Sequence, residues 1–201
     1  MILTLSAASS LYWLGRYMVR VEGLCRLEPF QDDAHAVAYA NAFSLPAWNV
    51  ETLSQLLRDP NHLGSLPNNL AVIQDNVQSV RGILGREVFE AFNALWRQRG
   101  QSDACICDLL HQASQHMQAL DLFTQVFWSL GRAVESVDMA LRLGEPAQPA
   151  AQQVLQVAQR LPDPEWQSIL ECAEQLAISP DTSNLYGLCD RLHPAFVEGP
   201  R

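Results

Sequence analysis

The residues of this sequence best suited to chemistry are charged side chains that occur twice in the same arrangement. Segments 14–27 and 130–143 share the skeleton L-G-R-x-[MV]-x-x-V-[ED]-x-x-x-R-L. In each copy an acid precedes an arginine by four residues and so faces it across one helical turn. Carboxylates and guanidinium groups in this spacing can form ion pairs or bind a charged ligand. The residues of this charged seam are Arg16, Arg20, Glu22, Arg26, Arg132, Glu135, Asp138 and Arg142.

The residues support two interpretations of the charged seam. One acid–arginine pair on a solvated helix contributes only about 0.2 to 0.5 kcal/mol, so a single copy would have no special meaning. The same arrangement recurs 116 residues later, which favours a shared structural or functional role for the two copies. The seam is predicted to be either a structural network of salt bridges between two helices, costly to break on one side, or a site for a ligand or a protein partner.

A second set of candidates combines carboxylates with imidazoles at helical spacing. Asp32 precedes His35 by three residues, and Asp108 precedes His111 by the same interval, so each acid shares a helical face with its histidine. Di-iron helical bundles use a related Glu-x-x-His pattern with further glutamates. Because the acid here is Asp and flanking glutamates are not evident, a metal-dependent helical-bundle enzyme is an alternative function rather than the first one.

Helical signals dominate the chain, so the elements that position these residues are predicted to be α-helices. Apolar positions recur at helical spacing through 7–27, which carries the first repeat. They also recur through 103–143, which carries the second repeat and is expected to bend near Leu120 or Gly131. The predicted fold is an all-α helical bundle of about six to nine helices, with the two repeat-bearing helices packed as a pseudo-symmetric pair.

The other predicted helices are separated by turns that contain proline or glycine. Segment 68–84 is predicted to form one helix. The C-terminal stretches predicted to be helical are 149–160, 164–177 and 182–192. We expect residues 1–144 to form the core of the bundle and residues 145–201 to pack on the same domain.

Composition argues against several function classes. The 201 residues carry a net charge of −9 with dispersed charges, so no basic stripe serves a nucleic-acid backbone. All 13 basic residues are arginines, which excludes a Schiff-base lysine and the lysine of a phosphate-binding loop. No apolar run approaches the roughly 18 to 20 residues that span a bilayer. We therefore expect a soluble, unexported protein that binds neither nucleic acid nor membrane, and no cofactor is predicted.

Five cysteines, an odd number, are scattered over helical patterns at positions 25, 105, 107, 172 and 189. This usage is typical of buried thiols in a reducing compartment, so a cytoplasmic location is predicted. Cys105 and Cys107 lack the two-residue spacer of the usual redox and zinc motifs, and they are interpreted as packing residues.

Three segments resemble the Alpha-E family, a bacterial all-helical family named for a Glu-Arg motif within L-G-R-[YW]-x-E-R-A-[ED]. The segments are LYWLGRYMVRVEGLCRL from Leu11, QDNVQSVRGILGREVFEAFN from Gln74 and FWSLGRAVESVDMALRL from Phe127. They keep their order along the chain. The candidate site residues from the middle segment are Asn76 and Arg81.

The Glu-Arg motif is incomplete in both repeats. The first copy has Val19-Arg20 where the family pattern has Glu-Arg, and the second has Glu135-Ser136, so each keeps one half of the pair. The middle segment has QDNVQ from Gln74 where the family has R-E-N-A-R. One hypothesis is a degenerate, mainly structural version of the motif. Another is that Arg20 and Glu135 pair across the helices and restore one complete couple.

The resemblance also implies a functional context. Alpha-E proteins are similar to one another in being encoded beside, or fused to, circularly permuted ATP-grasp proteins, often with transglutaminase-like proteins nearby. This implies an accessory helical subunit, without catalysis of its own, that docks on an ATP-grasp ligase for peptide or amide-bond formation. The alternatives are the metal-dependent enzyme and a ligand-binding regulatory bundle. Under any of these functions the chain could form a homo- or hetero-oligomer. Aromatic residues that would suit a partner interface, or else the core, are Trp13, Tyr17, Phe89, Trp96 and Trp128.

Overall fold

The structure, a computed structural model, describes residues 3–27, 29–98, 103–161 and 166–198. Regular secondary structure in these residues is helical, which confirms the predicted all-α bundle. The helices of the described residues are α1 (Leu5–Leu27), α2 (Asp33–Ala42), α3 (Val50–Arg58), α4 (Leu66–Ser79), α5 (Arg86–Arg97), α6 (Asp103–Gln118), α7 (Leu122–Leu143), α8 (Gln148–Ala158), α9 (Gln167–Ile178) and α10 (Thr182–Glu198). None of these helices combines the length and apolar character needed to cross a membrane.

Helices α1 and α7 carry the two repeats and pack against each other more extensively than any other pair of described helices. Their contacts advance in the same direction along both helices, from Tyr12 beside Gly131 to Gly23 beside Met139, so the two helices run parallel. At their closest approach, Gly15 lies against the backbone of α7 and Gly131 against the backbone of α1. These two glycines hold the same position in the repeats, so the helices meet through corresponding residues.

The other helices cover this central pair. Helices α4 and α6 pack on α1, α8 packs on α7, and α10 contacts both α1 and α7. The C-terminal helices also contribute to the core, since the ring of Phe196 in α10 lies against those of Tyr12, Phe127 and Trp166. Burial of these large apolar surfaces is the main source of stability in such a bundle.

Side-chain caps determine where several helices begin. Asp32 accepts a hydrogen bond from the backbone N–H of His35 at the start of α2. Asn49 and Thr52 form a capping box at the start of α3, and Ser65 caps α4. The caps at Asn49 and Ser65 fix the ends of the two loops that join α2, α3 and α4, and those loops border the candidate site.

Helix α4 ends earlier than the predicted segment 68–84. After Val80 the backbone forms a turn in which the N–H of Ile83 donates to the carbonyl of Val80 at 2.8 Å. Gly82 and Gly85 lie in this segment, and glycine lowers the stability of a helix interior. The sequence pattern therefore overestimated the length of this helix.

The predicted helical region 103–143 divides into α6 and α7 near Leu120, so the described residues contain ten helices, one more than the upper end of the predicted six to nine. Asp121 begins the second helix by accepting hydrogen bonds from the N–H and the hydroxyl of Thr124, at 3.2 and 2.8 Å. At Gly131, the other position where a bend was predicted, α7 is uninterrupted. The glycine at this position instead allows the close approach of α7 to α1.

Helix α10 continues past its predicted end at residue 192 and contains Pro194. Proline removes one helical hydrogen bond and is costly in a helix interior. Ala195 and Phe196, which follow it, are buried in the core, and this packing offsets the cost. Helices α8 and α9 lie close to their predicted segments, although residues 164 and 165 of the second segment lie outside the described residues.

The expectation that all five cysteines are thiols is wrong for one pair. Cys25 of α1 and Cys107 of α6 form a disulfide between residues 82 positions apart in sequence. The packing of α6 on α1 brings their Cα atoms to 5.8 Å, a separation that a disulfide spans readily. Cys105, Cys172 and Cys189 are free, and burial raises the pKa of the Cys189 thiol. The cytoplasmic location stays a prediction.

Candidate functional site

A buried carboxylate between α1 and α7, that of Glu135, is the centre of a set of ion pairs. Its side chain is 1% exposed and accepts hydrogen bonds from Arg16 Nε at 2.6 Å, from Arg20 Nε at 2.5 Å and from Arg20 Nη2 at 3.2 Å. The Arg20–Glu135 couple expected across the helices is therefore present. Two charged donors offset the cost of removing this carboxylate from water.

The ion pairs continue along α7. Arg16 Nη2 lies 3.9 Å from Asp138 Oδ2, and Arg142 Nε donates to both carboxylate oxygens of Asp138 at 3.0 Å. The connected order is Arg20, Glu135, Arg16, Asp138 and Arg142, so three cations alternate with two anions. We call these five residues the ion-pair chain.

A second ion pair joins the same two helices. Arg132 donates from Nη1 and Nη2 to the two carboxylate oxygens of Glu22, both at 2.8 Å, and Ser114 of α6 donates to the same carboxylate at 3.0 Å. In the repeats, Arg132 corresponds to Arg16 and Glu22 to Asp138. The Arg132–Glu22 pair is therefore the counterpart of the longer Arg16–Asp138 contact. Such reciprocal pairing is what a pseudo-symmetric pair of helices would produce, and the symmetry stays a prediction.

Aromatic rings lie beside the arginines of both sets of ion pairs. The distances from guanidinium carbon to ring centroid are 5.3 Å for Arg16 and Trp13, 4.7 Å for Arg20 and Tyr17, 5.0 Å for Arg132 and Trp128, and 5.7 Å for Arg142 and Phe43. Rings at these distances attract the cations and limit their motion.

The aromatic residues predicted for a partner interface differ in exposure. Trp128 is buried, and its indole Nε1 lies 3.3 Å from the sulfur of Met18, so of the two expected locations, core or partner interface, it occupies the core. The half-buried members of the group are Trp13, Tyr17, Phe89 and Trp96. Trp13 and Tyr17 lie beside arginines of the ion-pair chain, which gives them a role within the protein.

Burial has opposite effects on two groups at the ion-pair chain. It raises the pKa of the Tyr12 phenol well above its ordinary value, against the lowering effect of nearby Arg16, whose Nη1 donates to the phenol oxygen at 3.4 Å. Burial alone lowers the pKa of Arg142, but the hydrogen bond and charge of Asp138 outweigh it and the pKa is raised. The phenol therefore stays protonated and the guanidinium stays charged around neutral pH.

A cleft of about 430 Å³ opens beside the ion-pair chain. Four residues of the ion-pair chain line it, namely Arg20, Glu135, Asp138 and Arg142. The lining is completed by Leu24 and Met139 of α1 and α7 and by Tyr39, Phe43, Ser44, Leu45, His62, Leu63, Gly64 and Asn69 of the α2–α4 region. A cavity of this volume is large enough for a small ligand.

The residues from the α2–α4 region were not singled out in the sequence. Ser44 adopts a left-handed backbone conformation, with φ of 55°, and the side chain of the next residue, Leu45, lies close to Gly64 in the other loop. The two loops are thus brought together by packing between residues far apart in sequence. The only sequence signals at this wall are turn-forming residues such as Gly64, which indicate a loop but no ligand.

The acid–arginine pair expected within the first repeat does not form as predicted. Arg26 Nε donates to the backbone oxygen of Glu22 at 3.3 Å, while the Glu22 carboxylate binds Arg132. The corresponding pair in the second repeat, Asp138 with Arg142, is present. The difference arises because Arg132 reaches Glu22 from the neighbouring helix and offers two donors to one carboxylate.

The two candidates from the middle segment also lie apart from the ion-pair chain. Asn76 Nδ2 donates to the carbonyl of Val72 at 2.8 Å, within α4. Arg81 is exposed in the turn that follows α4. Neither residue lines the cleft, so the structure does not join them to the charged seam.

The two Asp-His pairs occupy separate helices. Asp32 accepts hydrogen bonds from the backbone N–H and ring Nδ1 of His35, both at 2.9 Å, and these bonds lower the pKa of Asp32. Asp108 and His111 are on α6, where His111 Nε2 lies 3.0 Å from the amide of Gln115. Among the described residues, no three His, Cys, Asp or Glu side chains lie close enough together to hold a metal ion. The metal-dependent alternative therefore has no supporting cluster in this part of the chain.

Comparison with known proteins identifies the family. The model of the Alpha-E domain, described as a predicted alpha-helical domain with a conserved ER motif, matches residues 5–178 of the 201. No curated protein and no solved structure gives a significant match to the chain. The matched range includes both repeats, the middle segment and the Arg20–Glu135 couple, which unites the two halves of the incomplete Glu-Arg motifs. The chain belongs to the Alpha-E family.

Proposed function

We propose that this chain is an accessory helical subunit of a circularly permuted ATP-grasp ligase system for peptide or amide-bond formation, without catalysis of its own. The observation that carries the proposal is the cleft beside the ion-pair chain, since it combines charged groups, an apolar lining and exposed apolar residues on one part of the molecule. The choice of ligase rests on the association of Alpha-E proteins with ATP-grasp proteins.

The hydrogen bonds of the ion-pair chain support a positioning role rather than acid–base catalysis. Glu135 already accepts three hydrogen bonds from two guanidinium groups, and Asp138 accepts two from Arg142. A general base must be free to accept a proton from its substrate. Carboxylates engaged in this way are better suited to hold arginines in place, so the reactive chemistry would come from the partner.

Two exposed apolar residues on the loops that border the cleft support a partner surface. Trp48 is 70% exposed and Leu63 is 81% exposed, and we call these two residues the apolar rim. They belong to the two loops that meet where Leu45 packs against Gly64. Exposed tryptophan commonly anchors protein contacts, and exposed apolar residues grouped on a surface mark interaction sites, so a ligase bound here would cover the mouth of the cleft.

Co-purification tests the proposal. An affinity-tagged copy of the chain is expressed with the circularly permuted ATP-grasp protein of the same organism. We expect the two proteins to co-purify and to elute together from a size-exclusion column. We also expect Trp48→Asp combined with Leu63→Asp to weaken the complex by at least about tenfold, because charged residues at an anchor position oppose desolvation.

Ile178→Asp provides a control for the introduction of a carboxylate at an exposed apolar position. Ile178 is 75% exposed on α9 and does not line the cleft, so this substitution should leave the complex unchanged. Failure of the wild-type chain to bind the ligase would refute the proposal. Equal binding by the rim variant and the control would refute the assignment of the apolar rim as the docking surface.

The cleft volume favours one other candidate function, a ligand-binding regulatory bundle. The two functions differ in whether the purified chain carries a small metabolite or a bound ligase. A regulatory bundle would bind a small metabolite and form no complex with the ligase, whereas an accessory subunit requires that complex.

A further inference from the structure

The ion-pair chain has an unbalanced charge. Its three arginines and two carboxylates leave one excess positive charge, although the whole protein carries −9. Arg16 is 11% exposed, whereas the terminal members, Arg20 and Arg142, are 32% and 36% exposed. Both terminal arginines line the cleft. The cleft lining itself holds two arginines and two carboxylates, and the guanidinium groups of Arg20 and Arg142 are the positive groups that an anion could reach from the cleft.

Hydrogen-bond donors remain on these arginines. Among the described residues, Arg20 donates to Glu135 from Nε and Nη2. Arg142 donates from Nε to Asp138 and from Nη1 to the backbone oxygen of Ala42. A guanidinium group has five N–H bonds, so the Nη1 group of Arg20 and the Nη2 group of Arg142 are available to a ligand.

A neutral donor also lines the cleft. His62 Nδ1 accepts a hydrogen bond from the backbone N–H of Gly64 at 3.1 Å. In the neutral imidazole the proton must then be on Nε2. His62 can therefore donate a hydrogen bond whether or not its ring is protonated, which suits an oxygen acceptor.

The rest of the lining is largely apolar. The apolar or aromatic residues of the cleft are Leu24, Tyr39, Phe43, Leu45, Leu63 and Met139. A ligand that fills about 430 Å³ beside these residues would bury an apolar group while its charged end faces the arginines. Inorganic phosphate, a compact and strongly hydrated anion, would leave this apolar surface without a partner.

We infer that the cleft binds the free carboxylate of a small ligand with an apolar side chain, such as an N-blocked amino acid or the C-terminal residue of a peptide. The carboxylate accepts hydrogen bonds from Arg20, Arg142 and His62, and the side chain lies against the apolar lining. This assignment deepens the proposed function and rests on it for the choice of ligand class, because amide-bond formation joins a carboxylate to an amine. The subunit would then hold the carboxylate substrate close to the ligase.

Calorimetric titration of the purified full-length chain tests this inference without the ligase. The probes are N-acetyl-L-leucine, its uncharged analogue N-acetyl-L-leucinamide, and inorganic phosphate, each at low ionic strength. We expect the acid to bind at least about tenfold more tightly than the amide, since charge-assisted hydrogen bonds to the carboxylate are lost in the amide. The acid should also bind more tightly than phosphate.

Variants locate the binding site. Arg142→Gln should weaken binding of N-acetyl-L-leucine by roughly tenfold or more, through loss of a charged donor. His62→Ala leaves every member of the ion-pair chain in place and should weaken binding to a smaller extent, so it serves even if Arg142→Gln fails to fold. Arg86→Gln is the matched control, because Arg86 is exposed on α5 and pairs with Glu90 outside the cleft.

Each outcome decides the inference. Equal binding of the acid and the amide would overturn it, as would tighter binding of phosphate than of N-acetyl-L-leucine. Unchanged binding by both Arg142→Gln and His62→Ala would place the ligand elsewhere and also overturn it. Because the titration uses the chain alone, a complex with the ligase and no carboxylate binding would refute this inference while the proposed function stands. Carboxylate binding without a ligase complex would refute the proposed function while this inference stands.

Discussion

Glu135 accepts three hydrogen bonds from two arginines and is almost fully buried between Arg16 and Arg20. Glutamine at this position keeps the shape of the side chain but removes its charge, so the buried guanidinium of Arg16 loses its closest anion. We expect Glu135→Gln to lower the free energy of unfolding by about 3 to 5 kcal/mol, the usual cost of breaking a buried ion pair on one side. Urea denaturation followed by circular dichroism measures this change.

Glu90→Gln is the matched control for this prediction. Glu90 is exposed and accepts a hydrogen bond from Arg86 on the same helix at 2.7 Å, and exposed ion pairs contribute little. The control should therefore unfold at nearly the same urea concentration as the unchanged protein. If Glu135→Gln also unfolds at nearly the same urea concentration as the unchanged protein, the ion-pair chain does not stabilise the fold.

Six of the eight residues of the charged seam could be predicted because the sequence contains their arrangement twice, whereas Arg20 and Glu135 have no charged counterpart in the other copy. The partners of those residues could not be predicted in the same way. Arg26 and Arg142 hold corresponding positions, yet only Arg142 pairs with the acid one turn before it. The reason is that Arg132 of the neighbouring helix binds the Glu22 carboxylate. Which residues of two helices come into contact depends on how the helices pack, and the sequence of one helix does not specify this.

The lining of the cleft was beyond sequence-based prediction for a related reason. His62 and Leu45 belong to loops, and each loop is positioned by the helices at its ends. Periodicity identifies the buried face of a helix but says nothing about which loops meet. The candidate carboxylate site therefore combines Arg142, an arginine of the repeated arrangement, with Arg20 of the charged seam and with a wall that only the folded chain provides.

At the level of helices, the close approach of α1 and α7 depends on two glycines. A Cβ atom at Gly131 would collide with the backbone of Tyr12, and one at Gly15 with the backbone of Trp128. Backbone atoms inside two packed helices cannot move away cheaply. We expect Gly131→Ala to lower the free energy of unfolding by about 1 to 3 kcal/mol, as overpacked positions do, in thermal or urea denaturation.

For Gly187→Ala on α10 we expect the opposite effect, a higher free energy of unfolding. Gly187 is exposed, and no atom lies within 4 Å of the position that its Cβ would take. Alanine should therefore stabilise this helix by about 0.5 to 1 kcal/mol through its higher helix propensity. A stabilising effect at both positions would contradict the close contact between the two repeat-bearing helices.

The covalent link between α1 and α6 gives another prediction for the helices. Protein purified without reductant and then denatured should contain three reactive thiols per chain, because Cys25 and Cys107 form a disulfide. Reduction should raise the number to five. Replacing both residues by alanine should lower stability by up to about 4.5 kcal/mol, the loop-closure value for residues this far apart in sequence.

Cys105 provides the control for this prediction, since it is free and lies on α6 with Cys107. Cys105→Ala should remove one reactive thiol and leave the disulfide intact. Five reactive thiols in the unreduced protein would contradict the disulfide and restore the interpretation of all cysteines as thiols.

The helices themselves were largely predictable, because long amphipathic segments are the strongest signal in a sequence. The errors occurred where tertiary packing outweighed local preference. Helix α10 continues through Pro194 because the residues after it are buried. Helix α4 ends before Arg81 because the following residues form a turn with hydrogen bonds of their own.

On the scale of the whole molecule, the C-terminal helices and the repeat-bearing helices contribute to the same core. Helix α10 contacts both α1 and α7, and Phe196 packs against Tyr12 and Phe127. The match to the family model also continues through residue 178, past the boundary expected at residue 144. These observations favour one cooperative unit over a core with a dispensable appendage.

A chain that ends at Gly144 tests this expectation. Removing α8 to α10 would expose apolar surface of α1 and α7 that is now buried, including Tyr12 and Phe127, and large apolar losses exceed the usual margin of stability. We expect the full-length chain to show one calorimetric unfolding transition and the shortened chain to show none. In the full-length chain, Phe196→Ala should reduce stability by about 3 to 5 kcal/mol. If the shortened chain unfolds cooperatively at the temperature of the full chain, the three C-terminal helices form a separate unit and the shared core is refuted.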